Sequence, residues 1–402
     1  MQLALHTTDS ERPWPERRLI PWWLRGDAEF FRDLGGALQP AMVMSVAEAR
    51  GSDVIVAAIE HRSEIVLEPE ADINVIDLAI RPKRFAASAI ARHHPYAPEG
   101  RQRSARFFER YATDTIEAER ELGASSFVPP HHLTGGAASK GRGRDILLQR
   151  LAYEHWVTEI GEHPSLVADV PRRFAVAATF DLETLADPIE RARLISLYAE
   201  LPGDFLWIRI ANLNDKAPVE RIAAAAEFLL RLRAAASRDL VTVGLGTLAY
   251  PFMAGGLSAA LGFGSAEYYL GPRIRRDQPE RSFRFATFHR DGLRNVVPTR
   301  TSDLAHVLFD AAPCDCPHHP PKLPPANGWP RRYHSASCRI QDSFELTRQT
   351  LFDSEEEMLR RVDVAEGLSA EHSPKRPFHG DAYRVVIATA RRLRGEALEA
   401  TG

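Results

Sequence analysis

Short apolar runs bounded by turn residues alternate along this chain with longer segments of helical period, and that alternation limits the fold more than any other feature. The runs are INVIDLAI (73–80), SSFVPPHH (125–132), RFAVAATFD (173–181), FLWIRIAN (205–212), LVTVGLG (240–246) and LSAALGFGS (257–265). Between them stand SARFFERYATDTIEAERELG from Ser104, DPIERARLISLYAEL from Asp187 and PVERIAAAAEFLLRLRAAA from Pro218, whose apolar residues recur at three and four. Asp187-Pro188 with Glu190 reads as a helix start. Strands this short and apolar belong in a sheet covered on both faces, which is the parallel sheet of repeated βα units.

Two further strands are expected, one at LQPAMVMSV (38–46) and one at RFATFH (284–289) or HVLFDA (306–311). Eight strands predict an α/β fold, a (β/α)8 barrel of the TIM type over residues 36–312. An N-terminal extension, 1–35, would precede it, and a metal-binding loop with C-terminal helices, 313–402, would follow. The alternative is an open doubly wound sheet, but no Gly-x-Gly-x-x-Gly follows the first strand. Gly244-Leu-Gly246 and Gly262-Phe-Gly264 read as tight turns at strand ends. TGGAASKGRGRD (134–145) reads as a basic loop at a strand exit.

A hydrophobic fraction of 44% and a charged fraction of 26% suit a globular chain with a large core. No apolar stretch reaches the ~18 residues that span a bilayer, so a soluble, cytoplasmic protein without a membrane partner is expected. A net charge of −3 excludes the broad basic footprint of a general duplex-DNA binder. Trp22 and Trp23, interleaved with Arg17, Arg18 and Arg25, read as a plug at the barrel bottom or an oligomer interface. SEEEMLRRVDVAEGL and DAYRVVIATARRLRGEALEA read as amphipathic helices that pack on the barrel or form a homodimer.

All three cysteines, with three histidines, fall within residues 314–338. Thiolate and neutral imidazole are the ligands zinc prefers, and a Cys-x-Cys turn offers two sulfurs to one ion. The expected set is Cys314, Cys316, His319 and His334, with His318 and Cys338 in reserve. Four protein ligands leave no open position, so the zinc would be structural. The other reading is a reduced loop whose cysteines pack as small hydrophobes.

In a barrel, chemistry gathers where strands end. The polar residues there are Asp77, His131, His132, Asp181, Arg209, Asn212 and Glu267. Charge of both signs on apolar strand faces points to an ion pair or an anion-binding pocket.

A Cys-x-Cys-x-x-ligand motif after the last barrel strand, with a histidine downstream at the head of a helix, resembles the zinc subdomain of the tRNA-guanine transglycosylase family. Here Cys314, Cys316, His319 and His334 occupy that pattern, with His in place of the third Cys. In that family two carboxylates exchange a base: the first maps to Asp77, with Leu78-Ala79 replacing the usual Ser-Gly. For the second, only Glu267 lies near the matching segment. The resemblance implies recognition of a guanine or 7-deazaguanine-type base, whose bond to RNA, DNA or protein is made or broken. His131, His132, Asp181, Arg209 and Asn212 would hold that base. Relatives of this kind include enzymes that place 7-deazaguanine in DNA and members of bacterial antiphage defence operons. The competing expectation is an inactive, zinc-stapled barrel that binds nucleobases or acts as a scaffold.

Overall fold

The computed structural model describes residues 18–22, 31–32, 41–49, 51–69, 105–134, 142–162, 172–262, 287–296, 328–372 and 378–399. Its centre is a closed ring of eight parallel strands. These are β1 (Leu19–Trp22), β2 (Ala41–Ser45), β3 (Glu64–Glu68), β4 (Ser126–Phe127), β6 (Arg173–Asp181), β7 (Phe205–Ala211), β8 (Asp239–Val243) and β9 (Ser258–Gly262). Each pairs with the next, β4 with β6, and β9 closes the ring on β1 with Leu19 opposite Ala259. The two-residue strand β5 (Leu133–Thr134) continues the line of β4 along β6. This is the (β/α)8 barrel expected from the alternation.

Side chains along each strand alternate between two apolar environments. Ile20, Trp22, Val43, Val66, Ala175, Ala177, Phe205, Trp207, Val241, Val243 and Ala260 form one buried cluster, the barrel interior. Their neighbours, such as Met42, Leu67, Phe180, Ile208 and Leu261, pack outward against helices. Both faces are therefore covered, as the unbroken apolar runs require.

Two ring members differ from expectation. The described ring includes β1 and β3, which the sequence reading does not name as strands. The closed sheet thus begins within the segment read as an N-terminal extension, and Trp22 is a barrel-interior residue at 2% exposure. Thr287–His289 instead forms β10 of a separate antiparallel hairpin with β11 (Arg294–Val296). Residues 73–80 and 306–311 lie outside the described residues.

The outer helices are α1 (Val46–Ala49), α2 (Asp53–Glu60), α3 (Ala105–Glu121), α4 (Arg142–Glu162), α5 (Pro188–Ala199), α6 (Val219–Ala236) and α7 (Ala249–Ala254). Asp187 caps α5 as its sequence suggests, accepting from the Ile189 N–H at 2.9 Å. Helix α4 starts inside the stretch read as a loop, so only 135–141 remain undescribed there. Gly244 and Gly246, at φ +79° and +55°, make the turn after β8, a conformation that penalises any Cβ.

After β8 the local helix α7 has only six residues, too few to cover the sheet. The cover comes from far along the chain. Helix α8 (Gly328–Arg348) lies against the hairpin, and α9 (Leu351–His372) and α10 (Gly380–Glu399) pack on α7, with α10 also along α6. Met358, Val362, Tyr383, Val386 and Ile387 enter the same buried cluster as Phe252, Met253 and Leu257. Asp342 of α8 accepts from Arg290 of the hairpin at 2.6 Å and from Arg361 of α9 at 2.7 Å, fastening the three elements. Burial pushes the Asp342 carboxyl above its ordinary range although both arginines pull it down. None of the helices among the described residues is long and apolar enough to cross a membrane.

Candidate functional site

The two ends of the barrel interior are both charged. At the N-terminal end of the strands, Glu64 accepts from Arg18 at 3.0 Å, from Ser126 Oγ at 2.6 Å and from Arg173. Burial raises the Glu64 carboxyl, but Arg18, Arg173 and Ser126 outweigh it and hold the group below the usual carboxylate range. This end is a charge-paired floor.

At the C-terminal end, where barrels carry their chemistry, the matching carboxylate is Glu68, four residues along the same strand and on the same face. The indole N–H of Trp207 donates to Glu68 Oε2. His131 Nε2 lies 3.4 Å and the Arg209 guanidinium 3.9 Å from Glu68 Oε1, all three side chains being fully buried. The sequence singled out His131 and Arg209, and the fold brings them together on a carboxylate that sequence reading missed. A Glu at each end of EIVLE, spaced by an even number, was the available signal. Arg209 does not pair with Asp181, because Thr179 stands opposite Arg209 in register while Asp181 stands one layer higher, opposite Ala211.

His131 reaches the interior through a break in the wall. Phe127 pairs with Phe174 and Leu133 with Thr179, so six steps on one strand face five on the other, the count of a β-bulge. Pro129 and Pro130 within it have no N–H to give to the ladder. Helix side chains take over the orphaned groups. Gln149 of α4 donates to Ala177 O at 2.7 Å and accepts from Ala177 N at 3.1 Å. Glu119 of α3 accepts from Val128 N at 3.0 Å, and Asp145 of α4 from His132 N at 3.3 Å.

The two histidines of the break face opposite ways. Pro129 O, which can only accept, lies 3.1 Å from His131 Nδ1, so that nitrogen carries the hydrogen and Nε2 is turned to Glu68. His132 donates from Nδ1 to Asp145 Oδ1 at 2.9 Å, and its Nε2 stands 3.4 Å from the Tyr111 hydroxyl on α3. His132 thus ties the break to both helices and does not face the interior.

Glu119 is fully buried, and its Oε1 finds no hydrogen-bond partner among the described residues. Burial pushes its carboxyl well above the ordinary range; the Val128 N–H opposes this and the charge of Glu68 adds to it. A raised carboxyl stabilises the fold below its unfolded value, 4.5, and that contribution is lost as pH rises through its folded value. Glu119→Gln, which mimics the neutral acid, should therefore remove a decline in urea-unfolding stability that wild type shows above about pH 4.5. An unchanged decline would mean that another group causes it.

Asp181 is half-buried at the end of β6 and accepts from the Glu183 N–H at 3.3 Å. Asn212 follows β7 in a left-handed turn, φ +66°, with an exposed side chain. Both stand at the rim above Glu68. Asp77, Glu267, Cys314, Cys316 and His319 lie outside the described residues. His334 is fully buried in the second turn of α8, not at its head, and Cys338 one turn further on places its Sγ 3.6 Å from Nε2 and 3.7 Å from Nδ1 of that ring.

Among the described residues one other group could hold a metal ion: Glu117 of α3 with His155 and Glu159 of α4, whose ligand atoms lie within 4.8 Å of one another. Its members are partly exposed, and Arg120 already supplies a cation to Glu159 at 3.3 Å. It reads as an ion-pair network on the helix surface.

No protein-family model and no curated protein matches this sequence. Among solved structures, the chain is similar to a crystal structure of a protein from Burkholderia cenocepacia J2315 provisionally described as a lyase/mutase. The identity is 15% and the TM-score 0.29, over 57% of this chain and 68% of that chain. A likeness this slight has no bearing on chemistry, and the barrel assignment rests on the strand pairings themselves.

Proposed function

We propose that this barrel is a tRNA-guanine transglycosylase-like enzyme that takes a guanine or 7-deazaguanine-type base at its C-terminal mouth and makes or breaks the base's bond to a macromolecule. The observation that carries the reading is the set of ionisable side chains at the exits of β3, the β4–β5 break, β6 and β7. The Watson–Crick edge of guanine presents N–H donors, and a carboxylate is their natural acceptor. Asp181, half-buried at the rim, is the carboxylate best placed to take them. Asp77 and Glu267 are proposed as the two carboxylates of the exchange, since a covalent route needs a nucleophile on one side of the sugar and an acid or base on the other. Arg209 and His131 hold the shape of the mouth through Glu68. The transferred base could come from transfer RNA or DNA, including the DNA modification systems of antiphage defence.

Zinc belongs to the same reading as a structural staple held by thiolates and imidazoles of residues 314–338, with no part in the reaction.

A second reading draws on one specific observation: Glu68, Trp207, His131 and Arg209 occupy one another and are fully buried. Polar groups so engaged also suit an inactive barrel that binds a base at the rim or serves as a scaffold. Both versions require base binding. Guanine or 7-deazaguanine should raise the melting temperature of wild type, because a ligand of the folded state stabilises by mass action. Asp181→Ala should lose that rise while its unliganded melting temperature stays close to wild type. No rise with any base would remove both versions. Binding that survives with Asp77→Ala, but without base exchange in that variant alone, would favour the enzyme.

A further inference from the structure

We infer that His131 is the proton-transfer residue of the mouth, its Nε2 taking the ring proton of the incoming base. This rests on the base-exchange reading above and gives His131 a chemical task beyond holding the mouth's shape.

Three observations support it. First, the hydrogen of this ring is already placed. Pro129 O, 3.1 Å from Nδ1, fixes it on that nitrogen and leaves a lone pair on Nε2. Second, His131 is fully buried at the C-terminal end of the barrel interior, and its Nε2 has no hydrogen-bond partner among the described residues. A buried acceptor without a donor is the position that a ligand N–H satisfies. The adjacent His132 gives the contrast, since its Nε2 already has the Tyr111 hydroxyl at 3.4 Å. Third, Glu68 Oε1 lies 3.4 Å from His131 Nε2, and that carboxylate is held by the Trp207 indole N–H and faces the Arg209 guanidinium. A carboxylate has no hydrogen to offer a lone pair, but it stabilises the imidazolium once a proton has been taken.

The step balances within the site. The ring N–H of the incoming base gives its proton to Nε2, and the electron pair of that nitrogen forms the bond to the sugar carbon. The bond from that carbon to the carboxylate nucleophile breaks, its electrons staying with the carboxylate. By microscopic reversibility the same imidazolium hands its proton to the nitrogen of a departing base. The neutral ring of this structure is the form that follows departure and receives the next base.

The test uses the full-length chain and probes the ring directly. Histidine labelled with nitrogen-15 gives each ring nitrogen its own NMR signal, and the pair lost in folded His131→Gln identifies this residue among the 15 histidines. In wild type, Nδ1 should carry the hydrogen, and the bare Nε2 signal should shift when guanine or a 7-deazaguanine base is added. His131→Gln can still hydrogen-bond but cannot take up a proton. It should keep the base-induced rise in melting temperature and lose base exchange by about 10²–10⁴-fold. Circular dichroism confirms that the variant folds, and His131→Asn replaces it if it does not. If base binds wild type without moving the Nε2 signal, or if the folded variant exchanges bases as fast as wild type, this inference fails while the base-exchange reading stands. If wild type exchanges no base, both fail.

Discussion

Glu68→Ala should destabilise the fold by about 3–5 kcal/mol, the range for removing one partner of a buried charge pair. The cost follows from two losses in the barrel interior: the Trp207 N–H loses its acceptor, and the Arg209 guanidinium loses the carboxylate 3.9 Å away. Urea unfolding should show a lowered midpoint at unchanged slope, since the change acts on stability and not on the surface exposed. The double variant Glu68→Leu with Arg209→Met removes charge from both sides and should recover most of the loss, because apolar replacement of a whole buried pair is often neutral. If Glu68→Ala costs less than 1 kcal/mol, the mouth is not held by this carboxylate, and the placing of His131 must be explained by the bulge alone.

The same strand supplies the second large effect at the opposite end. Glu64→Ala strips the floor of the acceptor used by Arg18, Ser126 and Arg173. Its cost should sit near the lower end, about 3 kcal/mol, because Arg173 keeps partial access to water and a second carboxylate, Asp239, at 3.8 Å. The pH dependence identifies it. Glu64 has a folded pKa below its ordinary 4.5, so its contribution is complete above 4.5 and is lost as pH falls through the lower folded value. The gap between wild type and Glu64→Ala should be full at pH 7 and shrink in acid. A gap that stays constant into strong acid would show that lost packing, not charge, is what the substitution removes. Base binding gives a further contrast, because the floor lies away from the mouth and its loss should leave the base-induced rise in melting temperature intact.

The parts of this fold that could be read in advance are those where one physical requirement dominates. Strands β6, β7 and β8 are continuous apolar runs, and nothing but a sheet covered on both faces accounts for them at that length. Strand β3 was hidden because its terminal residues are the two glutamates that serve the floor and the mouth, so it looked like a polar margin instead of a strand. Strand β1 was hidden by brevity and by Pro21, which cannot donate to a ladder and ordinarily argues against an interior strand. Period and composition rank local preference, while ring membership depends on which segments can reach both neighbours.

The site divides in the same way. His131 and Arg209 stood out because an ionisable group in an apolar run needs a partner. The partner could not be named, since Glu68 lies 63 residues before His131 and 141 before Arg209. Asp145, Gln149 and Glu119 were missed for a different reason. Their task is to satisfy backbone groups released by a bulge, and a bulge is a relation between two strands that no single segment displays.

The wall of the barrel shuts only when Leu19–Trp22 meets Ser258–Gly262, and the outer layer there is supplied by helices ending at Glu399. During synthesis the first strand must therefore wait, unpaired along one edge, until a partner 240 residues further on, Ala259 opposite Leu19, has left the ribosome. Contacts this distant in sequence slow folding and prolong the exposure of sticky intermediates. Growth of this chain at low temperature, or beside abundant holding chaperones, should raise its soluble yield more than any single stabilising substitution in the strands.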